Sequence, residues 1–179
     1  MRDTMVSGFI VGTGAAVNTE LGFIPDLVIV WDGTTGSPMN IGNPRQRVMV
    51  YSGGGTNEIK AGMEIVGNTS GAKAMVLAVH NDTGTWAGGD AAGWLILDAE
   101  TETGTFTSET IYYTGSDGTD DATGAATAVM GVDIDTEVAT DTGITAYKGS
   151  AASNALGFTI AIGISVDAKL LPYMALRNG

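Results

Sequence analysis

The sequence predicts an all-β protein: a β-sandwich or barrel-like outer domain formed by both chain ends, with a small β-barrel-like insertion between them. Three observations carry this. Apolar and β-branched runs are short and bounded by Gly-containing turns, the pattern of small barrels and sandwiches. Gly makes up 27 of the 179 residues, about twice its usual share, while Pro is only 4. Few segments place apolar residues at helical spacing. The texture changes at Glu58 and returns toward the C-terminus. The predicted outer domain is therefore 1–57 plus 141–179, and the insertion is 58–140.

Residues 5–11, "MVSGFIV", and 15–21, "AAVNTEL", read as short strands around Gly12-Thr13-Gly14. "DLVIVW", 26–31, is the clearest strand. Pro25 precedes it, Asp32-Gly33-Thr34-Thr35-Gly36 turns the chain after it, and an uninterrupted apolar strand is covered on both faces. "QRVMVYS", 46–52, is β-rich, and Gly53-Gly54-Gly55 reads as a hinge.

In the insertion, "EIKAGMEIVGNTSGAKAMVLAVHND" reads as strand, turn, strand, with Asn68-Thr69-Ser70-Gly71 as the turn. Residues 93–99 and 109–115 give two more strands, with Gly104 turning between them, and 125–135 closes the unit. In the last part, Phe158, Ile160, Ile162, Ile164 and Val166 alternate with small residues, predicting a half-buried strand over 157–166. A turn at Asp167-Ala168-Lys169 leads into a strand at 170–176. Pro172 lacks the ladder N–H, which predicts an edge position or a bulge there. The expected partner of the 26–31 strand is this C-terminal hairpin.

The formal net charge is −12, from 20 acids and 8 bases. No basic cluster exceeds Arg45-Gln46-Arg47, so neither a phosphate backbone nor an anionic membrane surface is an expected partner. The chain has no cysteine, which excludes disulfides, thiolate nucleophiles and Cys-bound metals. Ser7, Gly8, Gly12 and Gly14 interrupt the N-terminal apolar stretch and Asp3 precedes it, which argues against a signal peptide. No apolar run is long enough for a membrane-spanning helix.

Residue types that carry chemistry are sparse and unpatterned. The single His80 stands at a strand end, where facing solvent is the simplest reading. Asp117, Asp120 and Asp121 in "GSDGTDDATG" are the candidate cation ligands. Their spacing departs from the calcium-loop pattern, and Asp, Gly and Thr are also ordinary turn residues. Glu100, Glu102 and Glu109 could supply paired carboxylates, but nothing in the sequence sets one apart as an acid. "GTGAA" and "GGGTN" lack the Lys-Ser/Thr ending of a phosphate loop. These observations predict no enzyme and no cofactor. Trp31 and Trp94 lie in apolar strands and are expected in the core. Trp86, in "GTWAGGDAAG", either packs on its own barrel or anchors a neighbouring subunit.

"LGFIPDLVIVWDGTTG" and "LGFTIAIGISVDAKLLPYMALRNG" resemble a group of tailed-phage virion proteins. Gly22, Phe23, Pro25, Val28 and Val30 match its early strand. Gly157, Phe158, Thr159, Ile160, Tyr173 and Ala175 match its late part. Where that group often has a Gly-Asp or Gly-Asn turn, this chain has Asp167-Ala168-Lys169. The inserted TSG turn and the "GTWAGGDAAG" stretch resemble a small β module of phage head and tail proteins. The resemblance covers about two-thirds of the chain. It implies a capsid decoration or cement protein, made in the host cytoplasm and placed on the outer capsid surface. The implied partners are the major capsid protein and further copies of the chain, as a homotrimer. Met1, Arg2, Asp3, Thr4 and Met5 are candidate contacts, in an arm over residues 1–8 laid on the capsid. The alternatives are a tail component (fibre, baseplate or tube) and a polysaccharide-degrading tail enzyme.

Overall fold

Strands supply nearly all the regular structure of the computed structural model, which describes residues 4–36, 39–55, 57–115, 122–127, 143–150 and 155–178. In chain order the strands are β1 (Thr4–Val11), β2 (Val17–Glu20), β3 (Leu27–Trp31), β4 (Met39–Gly42), β5 (Gln46–Ser52), β6 (Glu64–Gly67), β7 (Lys73–Thr83), β8 (Ala92–Asp98), β9 (Glu109–Tyr113), β10 (Ala122–Thr127), β11 (Ile144–Tyr147), β12 (Gly157–Ile160) and β13 (Leu170–Arg177). They form three antiparallel sheets, so the all-β class holds. The chain divides into two units: Met1–Arg45 with Val129–Gly179, and Gln46–Ala128.

The unit made by the chain ends holds two sheets, ordered β1-β13-β3-β4 and β11-β12-β2. Val28 and Val30 from β3 and Leu171 and Ala175 from β13 share one core with Ile144, Phe158 and Ile160 from the second sheet. Phe158 meets Tyr173 edge-on, with ring centroids 5.3 Å apart and planes at 70°. β3 ends where Asp32 caps the turn. Its Oδ1 accepts from the N–H of Thr34 at 2.8 Å and of Thr35 at 3.2 Å, and its carbonyl accepts from Gly36 N–H. Lys169 Nζ donates to the other carboxylate oxygen at 2.5 Å.

β3 does lie beside the C-terminal strand, with Val30 opposite Tyr173 and Val28 opposite Ala175. The predicted C-terminal hairpin, however, does not form. β12 stops at Ile160 and pairs with β11 and β2, whereas β13 joins β1 and β3 in the other sheet. The cause is the segment between them. Ile164 N–H and Ser165 N–H both donate to the Ala161 carbonyl, and Thr13 N–H and Gly14 N–H bind Ser165 Oγ and its carbonyl. This fixes a turn, in which Ile164 is buried while Ile162 and Val166 are exposed. Period-2 alternation therefore ran on past the end of the strand. Nor is β13 an edge strand. Its pairing with β3 stops at Tyr173, so Pro172 stands just beyond that ladder, opposite Phe9 of β1.

Two positions in this region give measurable expectations. A Cβ built on Gly12 would sit 1.8 Å from the Val166 carbonyl oxygen, a contact only backbone movement can relieve. Gly12→Ala is expected to cost about 2 kcal/mol, as overpacking does, read by urea unfolding. Ala168, in the turn before β13, adopts φ 58°, which disfavours an L side chain. Ala168→Gly is expected to raise stability by about 0.5 kcal/mol, strain relief being partly offset by the freer unfolded chain.

The second unit is a closed barrel in the order β10-β5-β8-β7-β6-β9, with β9 pairing β10 to close it. β5 belongs to this barrel, between β8 and β10, so the unit starts at Gln46 rather than 58. Met49, Tyr51, Ile65, Ala74, Leu95, Leu97, Phe106 and Ile111 fill it. Gly54 is a packed position rather than a hinge. Its N–H donates to the Ala91 carbonyl, and a Cβ there would meet Ala91 Cβ at 2.7 Å. Of the predicted strand 125–135, residues up to Thr127 lie in β10, and the rest fall outside the described residues. β4 and β11, four residues each, were not legible as strands.

Candidate interaction surface

The four-stranded sheet is apolar on both faces. Its inner face carries Ile10, Val28, Val30, Leu171, Tyr173 and Ala175 into the core. The alternate positions point the other way by the period of two. Across the strands they form rows: Met5, Leu176 and Leu27; then Ser7, Met174, Ile29 and Ile41; then Phe9 beside Pro172, and Trp31 beside Met39. Val11 and Leu170 end the face. Ser7 is its one polar side chain, and no charged residue occurs in these rows. Phe9 is 70% exposed, Met5 65% and Val11 61%, with Leu170 and Met39 exposed as well. Isolated exposed apolar residues are normal, but a contiguous, chargeless face on a chain of net charge −12 is a candidate interaction surface.

The site residues read from the sequence are placed as follows. Thr4 and Met5 belong to β1, paired with Arg177 and Leu176, so the segment Thr4–Gly8 is a strand and not a free arm. Met1, Arg2 and Asp3 lie outside the described residues, as do Asp117, Asp120 and Asp121. Trp86 is 9% exposed and stacks on Tyr51 at 5.3 Å, with planes 17° apart. Of its two readings, the structure takes packing on its own barrel. Thr85 caps its short 3-10 turn by accepting from Gly88 N–H. Trp31 is half-buried on the outward face of the sheet. Trp94 stands exposed on the barrel wall, between Val50 and His80, its ring 5.1 Å from the imidazole. Neither is the core residue that its apolar strand suggested, because each falls on the outward parity.

The buried carboxylates serve the fold. Glu102 pairs with Arg47. Asp98 accepts from Glu100 N–H at 3.0 Å. Glu109 holds a turn: Oε2 accepts from the N–H of Thr69 at 2.6 Å and of Ser70 at 2.8 Å, and Oε1 from Thr107 N–H at 3.1 Å. Burial pushes its pKa up, but hydrogen bonds from the Ser70 hydroxyl and the amides of Ser70, Thr107 and Thr69 outweigh this and hold it at about 2. The TSG turn is thus built around an ionised carboxylate, unlike a catalytic acid, whose proton must be available near neutral pH. Asp32 is likewise held at about 2, by Lys169 first and then by the Thr34 and Thr35 amides. Among the described residues, no three His, Asp or Glu side chains gather as a metal site, and no helix is long and apolar enough to cross a membrane.

The sequence predicts β3 covered on both faces, whereas the structure packs the core on one and leaves Leu27, Ile29 and Trp31 half-buried on the other; the matching outward face of β1 and β13 was missed. The signal was available. "TMVSGFIV" and "LLPYMALR" carry apolar residues at both parities, as "LVIVW" does. No family model, curated protein or solved structure matches this chain.

Proposed function

We propose that this chain is a non-enzymatic structural protein of a tailed-phage particle, a decoration or cement protein that binds the outer head lattice and stabilises it. One observation of the molecule carries the structural part of the reading, that the chain works by assembling with other subunits and not by chemistry: an uncharged apolar sheet face on an otherwise acidic chain. The buried carboxylates support it, since Asp32, Asp98, Glu102 and Glu109 are engaged in caps, pairs and turns. Placement on the head rests on the resemblance of the Gly22–Val30 and Gly157–Ala175 segments to virion proteins. The physical logic is linkage: a protein that binds only the assembled lattice stabilises that lattice in proportion to its occupancy.

The test mixes the purified chain with phage heads lacking it and, separately, with tails, followed by sedimentation and cryo-EM. The expected result is regular density on the head lattice and heads that withstand higher temperature. Binding to tails alone would move the protein to the tail. Binding to neither, together with cleavage of host polysaccharide, would replace the structural reading with an enzymatic one.

A further inference from the structure

The occupant of the outward sheet face can be specified. We propose that it is the same face of a second copy of this chain, the two four-stranded sheets packing across a two-fold axis. This deepens the structural reading above and rests on it only for the role of the pair, not for its existence.

Charge limits where two copies can meet. Two copies each bearing net charge −12 repel wherever acidic surfaces approach. The rows of Met5, Phe9, Pro172, Met174, Ile29 and Met39 carry no charge, so two copies can meet there without placing like charges opposite one another.

The face is also large enough to hold a partner. Met5, Phe9, Val11, Met39 and Leu170 are the most exposed side chains of the face. Together they offer on the order of 500 Å² of apolar surface. That is at the upper end of the largest patch on a typical monomer. With the half-buried residues between them, the face approaches the roughly 800 Å² per partner of a standard stable interface.

Sheets pack face to face through interdigitating side chains, and the inner face of this sheet already does so with β11, β12 and β2. A second sheet on the outer face extends the same arrangement. One patch that is apolar throughout can be its own complement, which is what a two-fold contact requires. A pair buries the whole of each face at once. The trimer that the resemblance implies would have to divide each face between two neighbours.

The test is the mass of the full-length chain in solution by sedimentation equilibrium, together with two charge-introducing variants at opposite sides of the face. The wild-type chain is expected to be a dimer. Phe9→Asp, on β1, and Met39→Lys, on β4, are each expected to weaken it by about 30-fold or more in Kd, the size of a hot-spot loss. Both side chains are solvent-exposed, and far-UV circular dichroism checks the fold of each variant. Should Phe9→Asp fail to fold, Met39→Lys decides. Val50→Asp, on the barrel wall, is expected to leave the dimer intact. A monomeric wild-type chain, a trimer, or a dimer that survives both face variants would each overturn the proposal. Head binding is scored separately. A dimer that ignores phage heads would remove the capsid reading and leave the pairing standing.

Discussion

Phe158→Ala is expected to destabilise the unit made by the chain ends by about 3–5 kcal/mol, the range for truncating a buried aromatic ring. Phe158 is fully buried in β12 and is the largest side chain that the three-stranded sheet adds to this core. Its ring meets that of Tyr173 on β13 in a T-shaped contact, so the substitution removes contacts between the two sheets of the unit. Against a typical domain stability of about 5–15 kcal/mol, such a loss leaves little margin. Hydrogen exchange read by mass spectrometry localises the effect. Amides of β3, β12 and β13 should lose protection, while those of β8, which belongs to the separate barrel core, should keep it. Equal loss in both units would mean that the two cores do not unfold separately.

The second large effect is expected at Glu109. Glu109→Ala leaves the amides of Thr69, Ser70 and Thr107 without their acceptor and is expected to cost about 2–3 kcal/mol. The pH dependence follows from the depressed pKa. The folded-state value is about 2 and the ordinary value 4.5, so the unfolded chain binds the proton first as pH falls. The stabilisation is therefore complete above pH 4.5 and disappears as pH drops toward 2. Urea unfolding of the barrel across that window should show wild-type stability falling more steeply than that of Glu109→Ala. Parallel curves would mean that the carboxylate does not hold the turn. Asp32 acts in the same direction in the other unit, through the 3.8-to-2 interval.

Local chemistry wrote much of this fold into the chain. The abundance of Gly, the short β-branched runs and the scarcity of helical spacing determined an all-β protein without reference to any partner. Pro25 before β3 and Asp32-Gly33 after it bounded that strand, because a fixed φ and a capping carboxylate act over a few residues. The return of the early texture at the C-terminus also reflected a real adjacency, β13 beside β3.

What the sequence left open depends on contacts between distant residues. The alternation from Phe158 to Val166 was read as one strand. It ends at Ile160 because Thr13 and Gly14, far away in the chain, bind Ser165. Gln46–Ser52 has the composition of either unit, and only pairing with β8 and β10 assigns it to the barrel. Trp94 left its expected place in the core, and Trp86 settled into one of its two readings, for a similar reason. A tryptophan's burial depends on which parity of its strand, or which side of its loop, meets the core. The sequence alone determined that β1, β3 and β13 are apolar at both parities. Only the tertiary structure decided that the second sheet covers one face and that Phe9, Met5 and Met39 stand on the other. A strand's side-chain alternation is local, whereas the layer packed against it is set by the whole chain.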